Sequence, residues 1–166
     1  IKTMITIYDK LFKSEDFRNI SSQKYLERLI ANLSSAYVSG TKIKIIYDIQ
    51  DLFLDSDILF STGLILNELI TNSFKYAFPQ NNIGEIHVKF FLKNQNTLII
   101  EYKDNGVGLP HSLPEEKKEG FGLKLVNLLI SQLKGSCEIN RKNGTHYNFI
   151  FPLEKEKLFN QDMVEK

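Results

Sequence analysis

Residues 56–77 read SDILFSTGLILNELITNSFKYA and predict a long helix that decides the fold. The sequence Asp55-Ser56-Asp57 is typical of a helix cap, whereas Pro79 and the turn at 81–84 indicate where the helix stops. Apolar side chains cover most of the helix circumference, and a helix of that kind is normally buried. We therefore expect this helix to lie in the core, with the rest of the chain folded around it.

Three polar side chains share one face of this predicted helix. Glu68, Asn72 and Lys75 follow at steps of four and three residues, which at roughly 100° per residue places them within an arc of about 60°. On a mainly buried helix they cost desolvation free energy unless water, an ion or a ligand satisfies them. The Asn72 carbonyl oxygen suits Mg²⁺, Glu68 can accept a proton or orient a water, and Lys75 can meet phosphate charge. Taken alone, the pattern is explained equally well by a polar stripe that faces solvent and has no ligand.

The neighbouring patterns predict the architecture. In chain order they indicate a helix from Ser21 or Ser22, a strand over 42–49, the central helix, a hairpin near 86–92 and 98–103, a helix near 121–133, and strands at 136–140 and 145–152. Paired antiparallel strands leave too few strand–helix–strand crossovers for a doubly wound parallel sheet. We therefore predict an α+β fold, a two-layer α/β sandwich in which a mixed sheet carries helices on one face.

A first glycine-containing loop, Asp104-Asn-Gly-Val-Gly108, follows the predicted hairpin. If Gly106 and Gly108 let the backbone turn with positive φ, the Asp104 carboxylate can lie deep in a pocket and accept a hydrogen bond from an exocyclic amine such as that of adenine. An ordinary Asp-Asn-Gly turn that closes a hairpin is the alternative. The loop thus fits a ligand site or a simple turn.

A second glycine pair, Gly120 and Gly122, opens the helix near 121–133, where unpaired N–H groups and the helix dipole favour phosphate. The polar segment between the two loops fits either a mobile flap over a ligand or a solvated connection. The Thr145 hydroxyl, at the start of the last strand, can contact a ligand or merely favour the strand. Each signal is weak by itself.

Composition excludes several classes of protein. The chain has 166 residues with 21 Lys and Arg against 20 Asp and Glu, so a nucleic-acid binder or a domain that contacts an anionic membrane is not expected. Its one cysteine, Cys137, cannot form an internal disulfide, which favours a reducing, cytoplasmic setting. The sequence begins at Ile1 within an amphipathic pattern, and we expect it to be a fragment of a longer polypeptide.

Taken together, four motifs resemble the ATP-binding domain of the GHKL group, which comprises histidine kinases, gyrase-type topoisomerases, heat-shock chaperone ATPases and mismatch-repair ATPases. The segment 67–77 resembles the N box of that group, 104–108 its first glycine box, 120–126 its second, and Gly144-Thr145 its late Gly-Thr element. The resemblance covers roughly residues 20–153 and implies the Bergerat-type ATPase fold.

The resemblance also implies a site. ATP would lie between the sheet and the flap, with Mg²⁺ on Asn72, adenine on Asp104 and phosphates near Lys75. Glu68 and Lys75 would be the catalytic residues, with Glu68 orienting a water or the incoming imidazole. The other implied ATP-binding residues are Tyr76, Gly106, Gly108, Leu109, Gly120, Phe121, Gly122, Leu123 and Thr145.

Within the group, the Lys75-Tyr-Ala-Phe78 sequence and the short flap resemble a subgroup of sensor histidine kinases. The resemblance implies three regions: the end of a dimerisation helix with its linker (1–17), the ATP-binding catalytic domain (18–153) and a charged tail (154–166). It further implies a homodimer through the upstream helix and transfer of the γ-phosphoryl group to a histidine, from which an aspartate of a response regulator receiver domain would take it.

The sequence departs from the subgroup in one important respect. The phosphoaccepting histidine is absent, because His87, His111 and His146 all lie outside any helix of that kind, and we expect it upstream of Ile1. Two alternatives remain. An anti-sigma-factor serine kinase shares the nucleotide site but lacks the dimerisation helices. A non-catalytic interaction module would have a degenerate pocket, which the intact Asn72, Asp104 and paired glycines disfavour.

Overall fold

A computed structural model of the chain describes residues 20–37, 42–79, 83–108, 121–154 and 158–159. The helices are α1 (Ser22–Tyr37), α2 (Ser56–Asn72), which continues into a π-helical turn (Ser73–Ala77), and α3 (Phe121–Gln132). The strands are β1 (Ile20–Ser21), β2 (Lys42–Ile49), β3 (Phe53–Leu54), β4 (Ile83–Lys93), β5 (Thr97–Asp104), β6 (Ser136–Asn140), β7 (Thr145–Pro152) and β8 (Leu158–Phe159).

Five strands form a mixed sheet in the order β2-β4-β5-β7-β6. β2 pairs parallel with β4, because the chain returns between them through α2, and the other neighbours are antiparallel. The predicted hairpin is confirmed as β4 and β5, whose turn carries Asn94 and Gln95 at φ 53° and 62°. The predicted two-layer α+β fold with a mixed sheet is therefore correct.

One face of the sheet is apolar because every second residue on its strands is large and hydrophobic. On β7, Tyr147, Phe149 and Phe151 form a stack of buried rings with centroids 5.7 and 6.1 Å apart. The opposite face is polar at its centre, where Lys89 and Glu101 form an ion pair at 3.9 Å. The helices cover the apolar face, and α2 contacts both α1 and α3.

α2 is the buried helix that the sequence predicts, with Ile65, Leu66 and Ile70 fully enclosed. Asp55 caps it by accepting a hydrogen bond from the Asp57 N–H at 2.9 Å. Gly63 lets α1 approach closely, since a Cβ atom there would overlap the Tyr25 ring. The predicted helix runs to about Ala77, but regular α-helical geometry ends at Asn72.

A second, small sheet joins β1, β3 and β8, so segments near both ends of the described chain pair with β3. Ser21 caps α1, as predicted, by accepting a hydrogen bond from the Lys24 N–H at 3.1 Å. The buried Ser22 hydroxyl donates to the Gln50 carbonyl oxygen and accepts from the Leu52 N–H, both at 2.9 Å. These bonds fix the start of α1 to the corner between β2 and β3.

Some predictions fall on other parts of the chain. The predicted end of a dimerisation helix within 1–17, the segment 109–120 that contains the predicted flap, and His111 lie outside the described residues. Within the predicted tail 154–166, Leu158–Phe159 form β8. No helix among the described residues is long and apolar enough to cross a membrane.

Candidate functional site

The Asp104 carboxylate is buried and accepts three hydrogen bonds. β5 ends at this residue in the middle of the sheet, and Asp104 is only 2% exposed. Its Oδ2 accepts a hydrogen bond from the Ser73 hydroxyl at 2.8 Å. Its Oδ1 accepts from the N–H groups of Gly106 and Thr145 at 3.0 and 3.2 Å. The two predicted loop elements, around Gly106 and Thr145, therefore converge on one carboxylate.

These bonds do not use all the acceptor positions of the Asp104 carboxylate. An ionised carboxylate offers about four acceptor positions, two on each oxygen. Two N–H groups occupy those of Oδ1, and the Ser73 hydroxyl occupies one on Oδ2. Among the described residues, nothing occupies the second acceptor position on Oδ2, and a ligand can use it. An ionised carboxylate cannot donate, so the ligand atom that meets it must carry a hydrogen.

The loop after Asp104 is held against the π-helical turn. The Val107 N–H donates to the Ala77 carbonyl oxygen at 2.9 Å. Gly106 was expected to need a positive φ, but only Gly108 (φ 77°) does, and that part of the prediction is wrong. Gly106 is required instead because a Cβ atom there would overlap the Ala77 carbonyl oxygen. The first glycine loop and the end of the long helix thus form one unit.

Gly144 lies on the other side of Asp104. Its φ is 101°, and a Cβ atom would overlap the Asp104 carbonyl oxygen. Because its backbone can approach this closely, the following residue, Thr145, can place its N–H on Oδ1. The sequence suggested a role for the Thr145 hydroxyl, whereas the contact that the structure provides comes from the Thr145 main chain.

The predicted polar stripe lies on α2 and the π-helical turn, on either side of the Ser73 that contacts this carboxylate. Glu68 and Asn72 are half-buried on α2, whereas Lys75 and Tyr76 are exposed on the π-helical turn, with Tyr76 at 68%. The Glu68 carboxylate lies against the backbone of Gly122 in the first turn of α3, because a Cβ atom at Gly122 would overlap it. The predicted polar stripe therefore meets Gly122 of the second glycine pair.

The other predicted site residues are distributed around this centre. Leu123 is half-buried in the first turn of α3, and Phe121 begins that helix. Leu109 and Gly120 lie outside the described residues. Within the described ranges, no group of three or more His, Cys, Asp or Glu side chains comes together.

The sequence reasoning did not single out Ser73 and Tyr102, which hydrogen bonds link to Asp104. The Tyr102 hydroxyl oxygen lies 2.8 Å from Ser73 Oγ and 3.0 Å from the Leu69 carbonyl oxygen. Burial raises the pKa of Tyr102 far above its usual value, so the hydroxyl keeps its proton. The sequence contains a signal that could have identified Tyr102. This residue lies two positions before Asp104 on one strand, and hence on the same face of the sheet.

Comparisons with known proteins identify the family of this chain. The model of a protein family described as histidine kinase-, DNA gyrase B-, and HSP90-like ATPase matches residues 61–155. The sensor histidine kinase PdtaS of Mycobacterium tuberculosis is 26% identical over 150 residues. That alignment covers 87% of this chain and 29% of PdtaS, so the chain spans less than a third of its relative.

Solved structures share the fold. The histidine kinase domain of the Erythrobacter litoralis EL346 blue-light activated histidine kinase superposes with a TM-score of 0.77 at 20% identity, covering 90% of this chain and 70% of that domain. The mycobacterial sensor histidine kinase MprB gives a TM-score of 0.61 at 16% identity, covering 80% of this chain and 96% of the other.

Proposed function

The chain belongs to the family of histidine kinase-, DNA gyrase B- and HSP90-like ATPases, and from that premise we propose that it is the ATP-binding catalytic domain of a sensor histidine kinase. The observation that carries the proposal is the buried Asp104 carboxylate, on which the described residues leave one acceptor position open. The similarity to PdtaS, a sensor histidine kinase, supports this choice within the family.

Adenine fits the open position on Asp104. Its exocyclic amine carries hydrogens and can donate to Oδ2, whereas the oxo group of guanine would bring lone pairs against a carboxylate. Because Asp104 is almost completely buried, an unmatched acceptor there would cost desolvation free energy. The site therefore favours a 6-amino purine over a 6-oxo purine.

The residues around Asp104 also suit the rest of a nucleotide. Mg²⁺ commonly takes one or two protein oxygens and completes its shell with water and phosphates, and the half-buried Asn72 amide oxygen fits that role. When bound, Mg²⁺ would neutralise phosphate charge. The exposed Lys75 ammonium offers a second positive charge, and N–H groups at the start of α3 favour an anion beside Glu68.

The reaction is transfer of the γ-phosphoryl group from ATP to a histidine upstream of Ile1. The bond between the γ-phosphorus and the β,γ-bridging oxygen breaks, a bond to an imidazole nitrogen forms, and ADP leaves. Such a transfer depends on positioning and charge neutralisation. Glu68 orients the imidazole from its place against Gly122. The described histidines, His87 and His146, lie on the strands β4 and β7 rather than on a helix.

The proposal extends to the parent protein. Residues 1–17 would end the helix through which two copies form a homodimer, 18–153 would be the catalytic domain, and 154–166 a charged tail. A response regulator receiver domain would take the phosphoryl group on an aspartate. The domain would act in the cytoplasm, without nucleic acid and without direct membrane contact.

Nucleotide binding tests the proposal directly. ADP or ATP with Mg²⁺, at 100-fold over its Kd, should stabilise the fold by about 2.7 kcal/mol. At roughly 2–4 °C per kcal/mol, the melting temperature should rise by about 5–10 °C. No shift with either nucleotide would support a non-catalytic interaction module instead. In the longer polypeptide, an acid-labile phosphoryl product indicates phosphohistidine, whereas an acid-stable product would indicate the serine-kinase alternative.

A further inference from the structure

A buried chain of hydrogen bonds stands behind the Asp104 carboxylate. The Tyr102 hydroxyl contacts Ser73 Oγ, and the Ser73 hydroxyl contacts Asp104 Oδ2, both at 2.8 Å. All three residues are buried. Tyr102 makes no hydrogen bond to Asp104 itself in the part of the chain that the structure describes, so any influence on that carboxylate passes through Ser73.

The two hydroxyl protons, on Tyr102 and Ser73, serve three hydrogen-bond contacts. A helical serine often donates to the carbonyl oxygen four residues back, which for Ser73 is that of Leu69. That oxygen already receives the Ser73 main-chain N–H, and it lies 3.0 Å from the Tyr102 hydroxyl oxygen. If Tyr102 donated to Leu69 while Ser73 donated to Asp104, two hydroxyl oxygens would meet lone pair to lone pair. Ser73 therefore donates to Asp104, and the Tyr102 proton lies between two acceptors, Ser73 Oγ at 2.8 Å and the Leu69 carbonyl oxygen at 3.0 Å. The contact with Ser73 is the shorter of the two, so we take Ser73 Oγ as the main acceptor.

We propose that Tyr102 is a positioning residue that sets the base selectivity of the nucleotide site through Ser73. By donating to Ser73 Oγ it commits the serine proton to Oδ2, which fixes Asp104 as an acceptor with one open position. Without the Tyr102 hydroxyl, Ser73 can rotate its proton to the Leu69 carbonyl oxygen, and Asp104 loses its fixed orientation. The inference rests on the proposed function, since it requires a purine at Asp104.

The test compares ADP with inosine diphosphate, which carries an oxo group in place of the 6-amino group. Isothermal titration gives the Kd of each for the wild type, Tyr102→Phe, Ser73→Ala and the double variant. We expect Tyr102→Phe to reduce the preference for ADP about tenfold while the Kd of inosine diphosphate stays nearly constant. In the Ser73→Ala background, Tyr102→Phe should change the preference no further.

Tyr147→Phe is the matched control, because Tyr147 is another buried tyrosine, packed edge-on against Tyr102 at 6.3 Å. It should keep the wild-type preference. An equal loss of affinity for both nucleotides in Tyr102→Phe indicates a merely structural role and overturns the inference. An unchanged preference does the same, although the proposed function stands.

Two further outcomes also decide the matter. If Tyr102→Phe does not fold, Ser73→Ala decides alone: a loss of preference supports the chain of hydrogen bonds, and a retained preference overturns it. If the wild type binds neither nucleotide, the proposed function fails and this inference fails with it.

Discussion

Asp104 and Asn72 lie on different elements and offer different chemistry, so under the proposed function base binding and metal binding would be separate within one site. Asp104 ends β5 and accepts from three donors, whereas Asn72 ends α2 and presents a neutral amide oxygen. Ser73 is the link between them, since it follows Asn72 in sequence and contacts Asp104. A substitution at either residue should therefore affect a different part of nucleotide affinity.

We predict that Asp104→Asn lowers ADP affinity about 30-fold, equally with Mg²⁺ and with a chelator. The asparagine oxygen can still accept from Gly106 and Thr145, but its amide group then faces the ligand as a donor. Asn72→Asp should instead alter affinity chiefly in the presence of Mg²⁺, because it changes the charge of the metal ligand. Isothermal titration of ADP in both buffers measures the two effects.

Asp48→Asn provides the control for this experiment, because Asp48 is exposed on β2 and loses its charge in the same way. It should leave ADP affinity unchanged in both buffers. Equal losses in Asp104→Asn and Asn72→Asp under both conditions would contradict the separation of roles.

At the residue scale, the sequence predicts what can be read from local chemistry. Asp104 and Gly108 were recognisable because a carboxylate and a glycine stand at the end of a strand. Tyr102 was not recognisable, since a buried tyrosine on an alternating strand is most simply a core residue. Ser73 was not recognisable either. Their contact joins β5 to the π-helical turn after α2 across 29 positions in the chain, and local propensity carries no information about such a pairing.

At the element scale, the π-helical turn at the end of α2 organises the site. The Ser73 N–H donates to both the Leu69 and the Ile70 carbonyl oxygens, so regular helical bonding changes at this residue. π-Helical turns inside longer helices often occur at functional sites. The sequence predicts a helix to Ala77 but not this change, because α- and π-helical turns share the same apolar pattern over so few residues.

The contact between α2 and α3 yields a second prediction. Gly122→Ala introduces a methyl group where the Glu68 carboxylate lies, and the end of that half-buried side chain can swing away. We expect stability to change by less than about 1 kcal/mol. We expect kcat for phosphoryl transfer in the longer polypeptide to fall about 10- to 100-fold, because Glu68 no longer orients the acceptor.

The comparison of kcat with ADP affinity distinguishes this effect from a damaged pocket. ADP affinity should stay within about twofold, since alanine keeps the main-chain N–H that Gly122 offers to a phosphate and Glu68 is not assigned to the base or the phosphates. Ser131→Ala, an exposed change on the same helix, should leave both quantities unchanged. A parallel loss of ADP affinity and kcat in Gly122→Ala would refute the orienting role of Glu68.

At the scale of the whole molecule, periodicity predicts the layers but not every pairing. Alternating apolar residues on β4, β5 and β7 predict a sheet with one buried face, and the structure confirms it. The parallel pairing of β2 with β4 depends on the path of the chain through α2. β1, β3 and β8 are two residues long, which is too short for any alternation to be visible.

Tyrosine and cysteine side chains in the core make the stability of the fold depend on pH in the alkaline range. Burial raises the pKa of Tyr25 and of Tyr147 from 10.0 to about 12, and that of Cys137 from 9.0 to about 11. In each case the side chain ionises at a lower pH in the unfolded chain than in the folded protein. Its contribution to the free energy of unfolding is therefore complete only below the pKa of the unfolded chain. Stability should therefore fall between about pH 9 and pH 12.

Thermal melts at pH 7, 9, 10.5 and 11.5 measure this loss, which for each buried tyrosine approaches about 1.4 kcal/mol per pH unit inside its window. Tyr25→Phe removes one ionisable group from the interface between α1 and α2, so its melting temperature should fall less steeply above pH 10. Tyr47→Phe, at an exposed position on β2, should follow the wild type. A melting temperature that is constant up to pH 11.5, or an unaltered slope in Tyr25→Phe, would show that these phenols do not stay protonated in the folded core.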